Sequence, residues 1–337
     1  NDTVNIIQSP TSLVIDSMII LDSLDCFGDN DASVTISVLG GNPPYLYSWN
    51  DDSSQTTAVA TDLFAGIYSC TIIDSAGCVV IDSLAVTQPS RIDVGFNAIH
   101  VSCFGLSDGI LSSNITGGTP YSGILPYSYS WNGPNNFTSN LDSIYDLENG
   151  VYSIIISDAN NCTETDSIEI IQPPILTYVT EIKNPLCFND NNGFINLNIF
   201  GGTSPYDLIF GSYSNSTYDS ITITGLSANF DSLYITDANG CQESTFISLI
   251  NPFELVLDSL HVTHPTCYKY SDGKVSFSAN GGTLPFSYQF LDENSDIIAN
   301  SQIIHDLSAG VYNVVIADAN GCMLSTEISI IDHIDGK

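Results

Sequence analysis

Apolar and polar residues alternate with a period of two over 33–38, 152–156 and 312–316. That spacing sends one face of a strand into a core and the other to solvent. No segment sustains a helical period. Strand-like runs are separated by Gly, Asn, Asp and Pro at intervals of about 8–12 residues, the spacing of a β-sandwich. Asp-Ala-Asn-Gly precedes Cys241 and Cys322, with the variants Asp74-Ser75-Ala76-Gly77 and Asp158-Ala159-Asn160-Asn161 in front of Cys78 and Cys162. Asn and Gly accept the positive φ of a tight turn, so this string predicts the hairpin between the last two strands.

The pattern repeats. Cys26, Cys103, Cys187 and Cys267 are each followed by an aromatic (Phe27, Phe104, Phe188, Tyr268) and, five residues on, by Asp31, Asp108, Asn192 or Asp272. Gly-Gly pairs stand in one register behind them at Gly40-Gly41, Gly117-Gly118, Gly201-Gly202 and Gly281-Gly282. Then come Pro and two aromatics: Pro44, Tyr45 and Trp49; Pro126, Tyr127 and Trp131; Pro205, Tyr206 and Phe210; Pro285, Phe286 and Phe290. Leu63, Leu147, Leu226 and Leu307 precede the second cysteines Cys78, Cys162, Cys241 and Cys322, and Gln88-Pro89, Gln172-Pro173 and Asn251-Pro252 close the unit.

A period of about 80 residues suits a small domain with its own core rather than a solenoid turn. The expected division is a last strand of a preceding copy over 1–10, then repeats over 11–89, 90–173, 174–252 and 253–337, an array cut at both ends. Leu-x-x-Gly-x-Tyr (Leu63, Gly66, Tyr68; Leu147, Gly150, Tyr152; Leu307, Gly310, Tyr312) has the makings of a tyrosine corner at the penultimate strand. The third copy has Asn229 and Asp231 in those places and is expected to be the least rigid. The predicted fold is all-β, tandem immunoglobulin-like β-sandwich repeats of about seven strands each. Trp49 and Trp131 are assigned to the cores.

Charge narrows the function. Five Lys plus Arg against 38 Asp plus Glu give a formal net charge of -33, which repels phosphate backbones and anionic headgroups, so nucleic acid is excluded as a partner. No apolar run approaches the ~20 residues of a membrane span, and no membrane insertion is expected. Eight cysteines at repeating positions argue for disulfides and an oxidising exterior. The zinc alternative is weak: CxxC is absent, and the five His (His100, His261, His264, His305, His333) are read as outside the period.

Connectivity has two solutions. Pairing within each copy joins Cys26 with Cys78, Cys103 with Cys162, Cys187 with Cys241 and Cys267 with Cys322. In an immunoglobulin-like topology, however, those cysteines sit at opposite poles, ~20 Å or more apart at ~3.3 Å per residue. Pairing between copies joins Cys26 with Cys162, Cys103 with Cys241 and Cys187 with Cys322, and would make the array a stiffened rod. The ninth cysteine, Cys70, shares a face with Tyr68 and Ile72 and reads as a free buried thiol acting as a small hydrophobe.

The string CFGDND, then Gly-Gly, Pro-Pro-Tyr, Trp49, Leu-x-Ala-Gly-x-Tyr and Asp-Ala-Asn-Gly-Cys, resembles the SprB-type repeats of giant surface adhesins in the Bacteroidetes, over essentially the whole chain. Ala32 and the altered corner of copy three depart from it. The resemblance implies type IX secretion, a cell-surface, outer-membrane-associated location and a part in gliding motility or adhesion. It also implies O-glycosylation at Asp-Ser/Thr-apolar triplets, of which there are ten, at Thr3, Ser17, Ser23, Ser75, Ser83, Ser143, Ser167, Ser220, Ser232 and Ser259. Abundant Asp and Ser on exposed strands is the plainer source of many of them.

Asp29-Asn30-Asp31 and Asp190-Asn191-Asn192 invite calcium, but copy two offers only Ser107 and Asp108 there and copy four has Lys269 beside Ser271 and Asp272, so turn capping is the better reading. Neither a Ser-His-Asp set nor HExxH, GxSxG or a phosphate loop occurs, so no enzyme, cofactor or metal site is expected. Function is read as the shaft of a repetitive adhesin, against a structural filament or surface-layer component, or a carbohydrate-binding array of a secreted hydrolase. Its partners are neighbouring repeats of the same chain, with surface glycans or other copies of the filament beyond them.

Overall fold

The computed structural model describes residues 11–332, and the strand expected over 1–10 lies outside them. By internal contacts the described residues form two compact units, 11–101 with Gly105–Gln172, and Ser102–Phe104 with 173–332. In the first unit, copy one consists of β1 (Val14–Asp22), β2 (Ala32–Leu39), β3 (Leu46–Trp49), β4 (Val59–Leu63), β5 (Gly66–Ile73) and β6 (Val79–Val86). They form two antiparallel sheets, β1-β2-β4 and β3-β5-β6. Copy two comprises β7 (Asp93–Ile99), β8 (Gly109–Thr116), β9 (Ser128–Asn132), β10 (Thr138–Ser139), β11 (Ser143–Leu147), β12 (Gly150–Ser157) and β13 (Thr163–Ile170). Its sheets are β11-β8-β7 and β10-β9-β12-β13.

The second unit repeats this plan. Copy three has β14 (Thr177–Lys183), β15 (Gly193–Phe200), β16 (Tyr206–Phe210), β17 (Tyr213–Thr217), β18 (Ser220–Leu226), β19 (Asn229–Thr236) and β20 (Gln242–Leu249). Copy four has β21 (Val256–Thr263), β22 (Gly273–Asn280), β23 (Ser287–Leu291), β24 (Ile297–Ala299), β25 (Ile303–Leu307), β26 (Gly310–Ala317) and β27 (Met323–Ile330). Each copy thus pairs a three-stranded sheet with one carrying the last hairpin, the immunoglobulin-like sandwich. Alternate residues point inward, and four separate apolar clusters fill the spaces between the sheets.

Trp49 and Trp131 are core residues, 3% and 0% exposed, and each indole donates to a backbone carbonyl, Thr57 at 2.8 Å and Leu141 at 2.9 Å. A buried indole N–H needs such an acceptor. The tyrosine corner forms in three copies: the hydroxyls of Tyr68, Tyr152 and Tyr312 donate to the carbonyls of Phe64, Glu148 and Ser308 at 3.0–3.1 Å. In copy three, Tyr213 of β17 packs against the core.

The expectation of about seven strands holds, with seven in each of copies two, three and four. Copy one has six, because the stretch after β3 does not pair as a fourth strand of its sheet. Asp51 organises that stretch instead, accepting from the backbone of Ser53 and Gln55 and from the Gln55 side chain, which in turn bonds Thr61 at both its N–H and carbonyl. Side-chain amide and carboxylate groups here take the place of a strand ladder.

Candidate functional site

The Gly-Gly pair, the hairpin aspartate and the second cysteine of each copy converge at one pole of its sandwich. In copy two, the Asp158 carboxylate accepts N–H groups from Thr119 at 2.7 Å, Asn160 at 2.9 Å and Cys162 at 2.9 Å. Asp74 takes Asn42, Ala76 and Cys78; Asp237 takes Thr203, Asn239 and Cys241; Asp318 takes Thr283, Asn320 and Cys322. All four aspartates are buried. The Asx turn expected for them is half of their role. The other half is the bond to the residue after Gly-Gly, which ties the hairpin to a loop 32–39 residues earlier. These N–H groups, those of Asn42 and Cys78 foremost, hold the Asp74 carboxyl below the usual carboxylate range.

Gly-Gly is there because nothing larger fits. Gly117 has φ +82°, and a Cβ on it would lie 1.9 Å from the carbonyl oxygen of Arg91. Gly118, at φ +60°, would place its Cβ 2.8 Å from Asp158 Oδ2. The close approach lets the second glycine donate to the carbonyl three residues before the first strand: Gly41 to Thr11, Gly118 to Ser90, Gly202 to Pro174 and Gly282 to Phe253, at 2.7–2.9 Å. Tyr45, Tyr127 and Tyr206 cap the first glycine's carbonyl at 2.6–2.7 Å. Copy four has Phe286 in that place and lacks the hydroxyl.

This rigid knot presents the second cysteine. The structure pairs Cys26 with Cys162 in the first unit, and Cys103 with Cys241 and Cys187 with Cys322 in the second, at Cα–Cα distances of 5.5–5.7 Å. Pairing within each copy is therefore replaced by pairing from each copy to the next. The physical reason is the one the topology supplies: the first cysteine precedes the second strand at one pole, and the second follows the last hairpin's turn at the other. Cys78 and Cys267, expected among the disulfide cysteines, are exposed free thiols.

Each staple is flanked by one further bond. The amide of Asn160 donates to the Asp25 carbonyl at 2.9 Å, Asn239 to Ser102 at 2.9 Å and Asn320 to Leu186 at 3.1 Å, each the carbonyl just before a first cysteine. The sequence pattern marks that asparagine only as a turn residue. The loop after each first cysteine is also clamped to the end of its own copy. Gly28 donates to Gln88, Gly105 to Gln172, Asn189 to Asn251 and Lys269 to Asp332. The closing Gln-Pro, first visible only as punctuation, is thus a clamp. A second clamp corrects the reading of the histidines: His100 and His264 both stand three residues before a first cysteine, and their Nδ1 atoms accept the N–H of Ile171 and Ile331, as Asn184 accepts that of Ile250. Comparing each pair of His with the cysteine register would have found it.

A cleft of about 370 Å³ opens beside the first staple, lined by Phe27, Asp29, Arg91, Asp158 and Glu164 among others. Arg91 and Glu164 form an ion pair there at 2.9 Å. Among the described residues no group of three His, Cys, Asp or Glu is placed to hold a metal ion, and no helix is long and apolar enough to cross a membrane. The side chains expected to cap the turn after the first cysteine do so where Asn192 accepts from Leu186 and Asp272 from Thr266. The Thr266 hydroxyl and N–H hold the Asp272 carboxyl low.

Cys70 lies fully buried opposite Trp49, its thiol pKa pushed up by burial. Of the triplet positions, Ser17, Ser23, Ser75, Ser83, Ser167 and Ser220 are exposed, Ser143, Ser232 and Ser259 half-buried, and Thr3 lies outside the described residues.

The SprB repeat family matches the chain over residues 20–54 and 179–207, the first-cysteine to Gly-Gly region of copy one and its counterpart in copy three. No curated protein sequence matches. Among solved structures, the chain aligns with the N-terminal eight immunoglobulin domains of Down Syndrome Cell Adhesion Molecule isoform 1.30.30 at 11% identity and a TM-score of 0.31, covering 96% of this chain and 61% of that one. It aligns with a tetra-tandem repeat in the extending region of a large adhesion protein at 12% identity and a TM-score of 0.28, covering 93% and 98%.

Proposed function

We propose that this chain, with its SprB repeats, is a shaft segment of a long, repetitive cell-surface adhesin of the gliding-motility type. In this reading each of the stretches 11–89, 90–173, 174–252 and 253–337 is one module. The observation that carries the proposal is the staple: three successive first cysteines are each bonded to the second cysteine of the following copy. Such bonds persist outside the reducing cytosol, and they hold an array together without adding any binding surface. The net charge of -33 keeps neighbouring shafts apart and in solution. Adhesion then belongs to a terminal domain or to many weak contacts summed along the array, with surface glycans as the ligand class.

Electron microscopy of intact cells, with antibody raised against these four copies, tests the reading. Isolated fibres decorated at the periodicity of the array are expected, and a strain deleted for the protein should lose surface attachment or movement. Ordered lateral packing of the labelled material would assign the chain to a surface layer instead. The exposed Ser17, Ser23, Ser75, Ser83, Ser167 and Ser220 are the proposed glycan acceptors. An intact mass of natively purified protein equal to that of the bare polypeptide would remove this part.

A further inference from the structure

The three staples overlap in sequence, because Cys103 lies inside the loop closed by Cys26 and Cys162, and Cys187 inside that closed by Cys103 and Cys241. A pull on the two ends of the chain that reaches Cys26 has two routes to Cys162. One runs through 136 residues of sequence separation and the other through a single S–S bond. The same choice arises between Cys187 and Cys322, separated by 135. Tension takes the route that becomes taut first.

We propose that the staples act as a covalent tension shunt. Force passes from Cys26 to Cys162 through sulfur, along β13 and β14 to Cys187, and through sulfur again to Cys322. Most of each sandwich hangs in closed loops off this path. Of the residues between Cys162 and Cys187, eight are in β13 and seven in β14. A strand already rises ~3.3 Å per residue against a limit of ~3.6 Å, so each of these two strands has little slack of its own to release. Ordinary tandem sandwiches lengthen under load by unfolding one after another. Here unfolding inside the closed loops adds no length to the path, so the looped parts of the sandwiches are spared by connectivity rather than by strength of packing.

The purpose of such a shunt rests on the shaft reading, but its existence does not. In the wild-type chain the covalent path from end to end follows about 65 residues, or ~230 Å at ~3.6 Å each, against ~1,200 Å for all 337 residues. Pairing within each copy would leave about 115 residues on the path, or ~400 Å.

Single-molecule stretching of the 337-residue chain, tethered at its two ends, reads this directly. Without reductant the limiting contour length should be near ~230 Å, and reductant should raise it roughly fivefold. The double variant Cys26→Ser/Cys162→Ser, with the other two staples kept, should stop near ~600 Å, since about 170 residues then lie on the path. A wild-type limit at ~400 Å, or one that reductant does not change, overturns the shunt. Because contour length is covalent, the result stands even if the variant folds poorly. Fibres on cells without the short contour would sink the shunt alone, and the short contour without fibres would sink the shaft reading alone.

Discussion

At the scale of single residues, the hairpin aspartate carries the most. Three backbone N–H groups converge on the buried Asp158, and removing their acceptor leaves them without their carboxylate partner. Asp158→Ala should therefore cost about 2–4 kcal/mol in denaturant unfolding, with Asp158→Asn recovering part. In copy one the same bonds depress the Asp74 pKa in the folded state. The stability this supplies is present above the unfolded aspartate value near 3.9 and is lost as pH falls through the folded value. Asp74→Asn should flatten the acid limb of the stability curve below about pH 4 and leave its neutral side lower but level; an unchanged acid limb would contradict this. The Gly-Gly pair offers a controlled comparison. Gly117 and Gly105 both have positive φ, but a Cβ on Gly117 meets the Arg91 carbonyl whereas one on Gly105 meets nothing within 4 Å. Gly117→Ala should cost ~3 kcal/mol or more, and Gly105→Ala about 1 kcal/mol, the conformational strain alone. Periodicity disclosed both motifs, but the bond between them spans 32–39 residues, and no local spacing encodes that distance.

At the scale of elements, alternation located the strands: 33–38 lies within β2, 152–156 within β12 and 312–316 within β26. Short edge strands escaped it, because two residues in β10 or three in β24 are too few to show a period. The residue before each corner Leu also escaped. Asp62, Asp146 and Asp306 adopt φ of +57° to +58°, and Gly225 takes the place in copy three, where β18 joins β15 through a register shift. Left-handed backbone suits Gly and tolerates Asp, a preference too common in turns to single out one position. The corner itself differs in consequence. Tyr152 is 2% exposed and bonds Glu148 across the turn, whereas copy three starts β19 with Asn229, Phe230 and Asp231, of which Phe230 is 75% exposed. Amide exchange at Phe230 and Asp231 should be faster than at Val151 and Tyr152, and Tyr152→Phe should cost about 1 kcal/mol. Equal protection at the two corners would remove the claim that copy three is the less rigid.

At the scale of the whole molecule, sequence reasoning reduced the cysteines to two schemes, and three-dimensional placement chose between them. A repeat cannot reveal from its own residues whether its partner is itself or its neighbour. That choice has a thermodynamic consequence within the first unit, where the Cys26–Cys162 bond closes a loop with a sequence separation of 136. Chain entropy assigns such a closure about 5 kcal/mol of stabilisation, an upper figure that native strain and residual structure reduce. Because the loop contains nearly all of copies one and two, neither can gain its full unfolded entropy while the other stays folded and the bond holds. A within-copy bond would stabilise each sandwich separately and leave their transitions independent. Calorimetry of the wild-type chain and of Cys26→Ser/Cys162→Ser should therefore differ in shape as well as position. The variant should lose up to ~5 kcal/mol and resolve copies one and two into separate transitions, while the wild type melts them closer together. Equal separation of those transitions in both proteins would mean that the staple fastens the copies without coupling their folding.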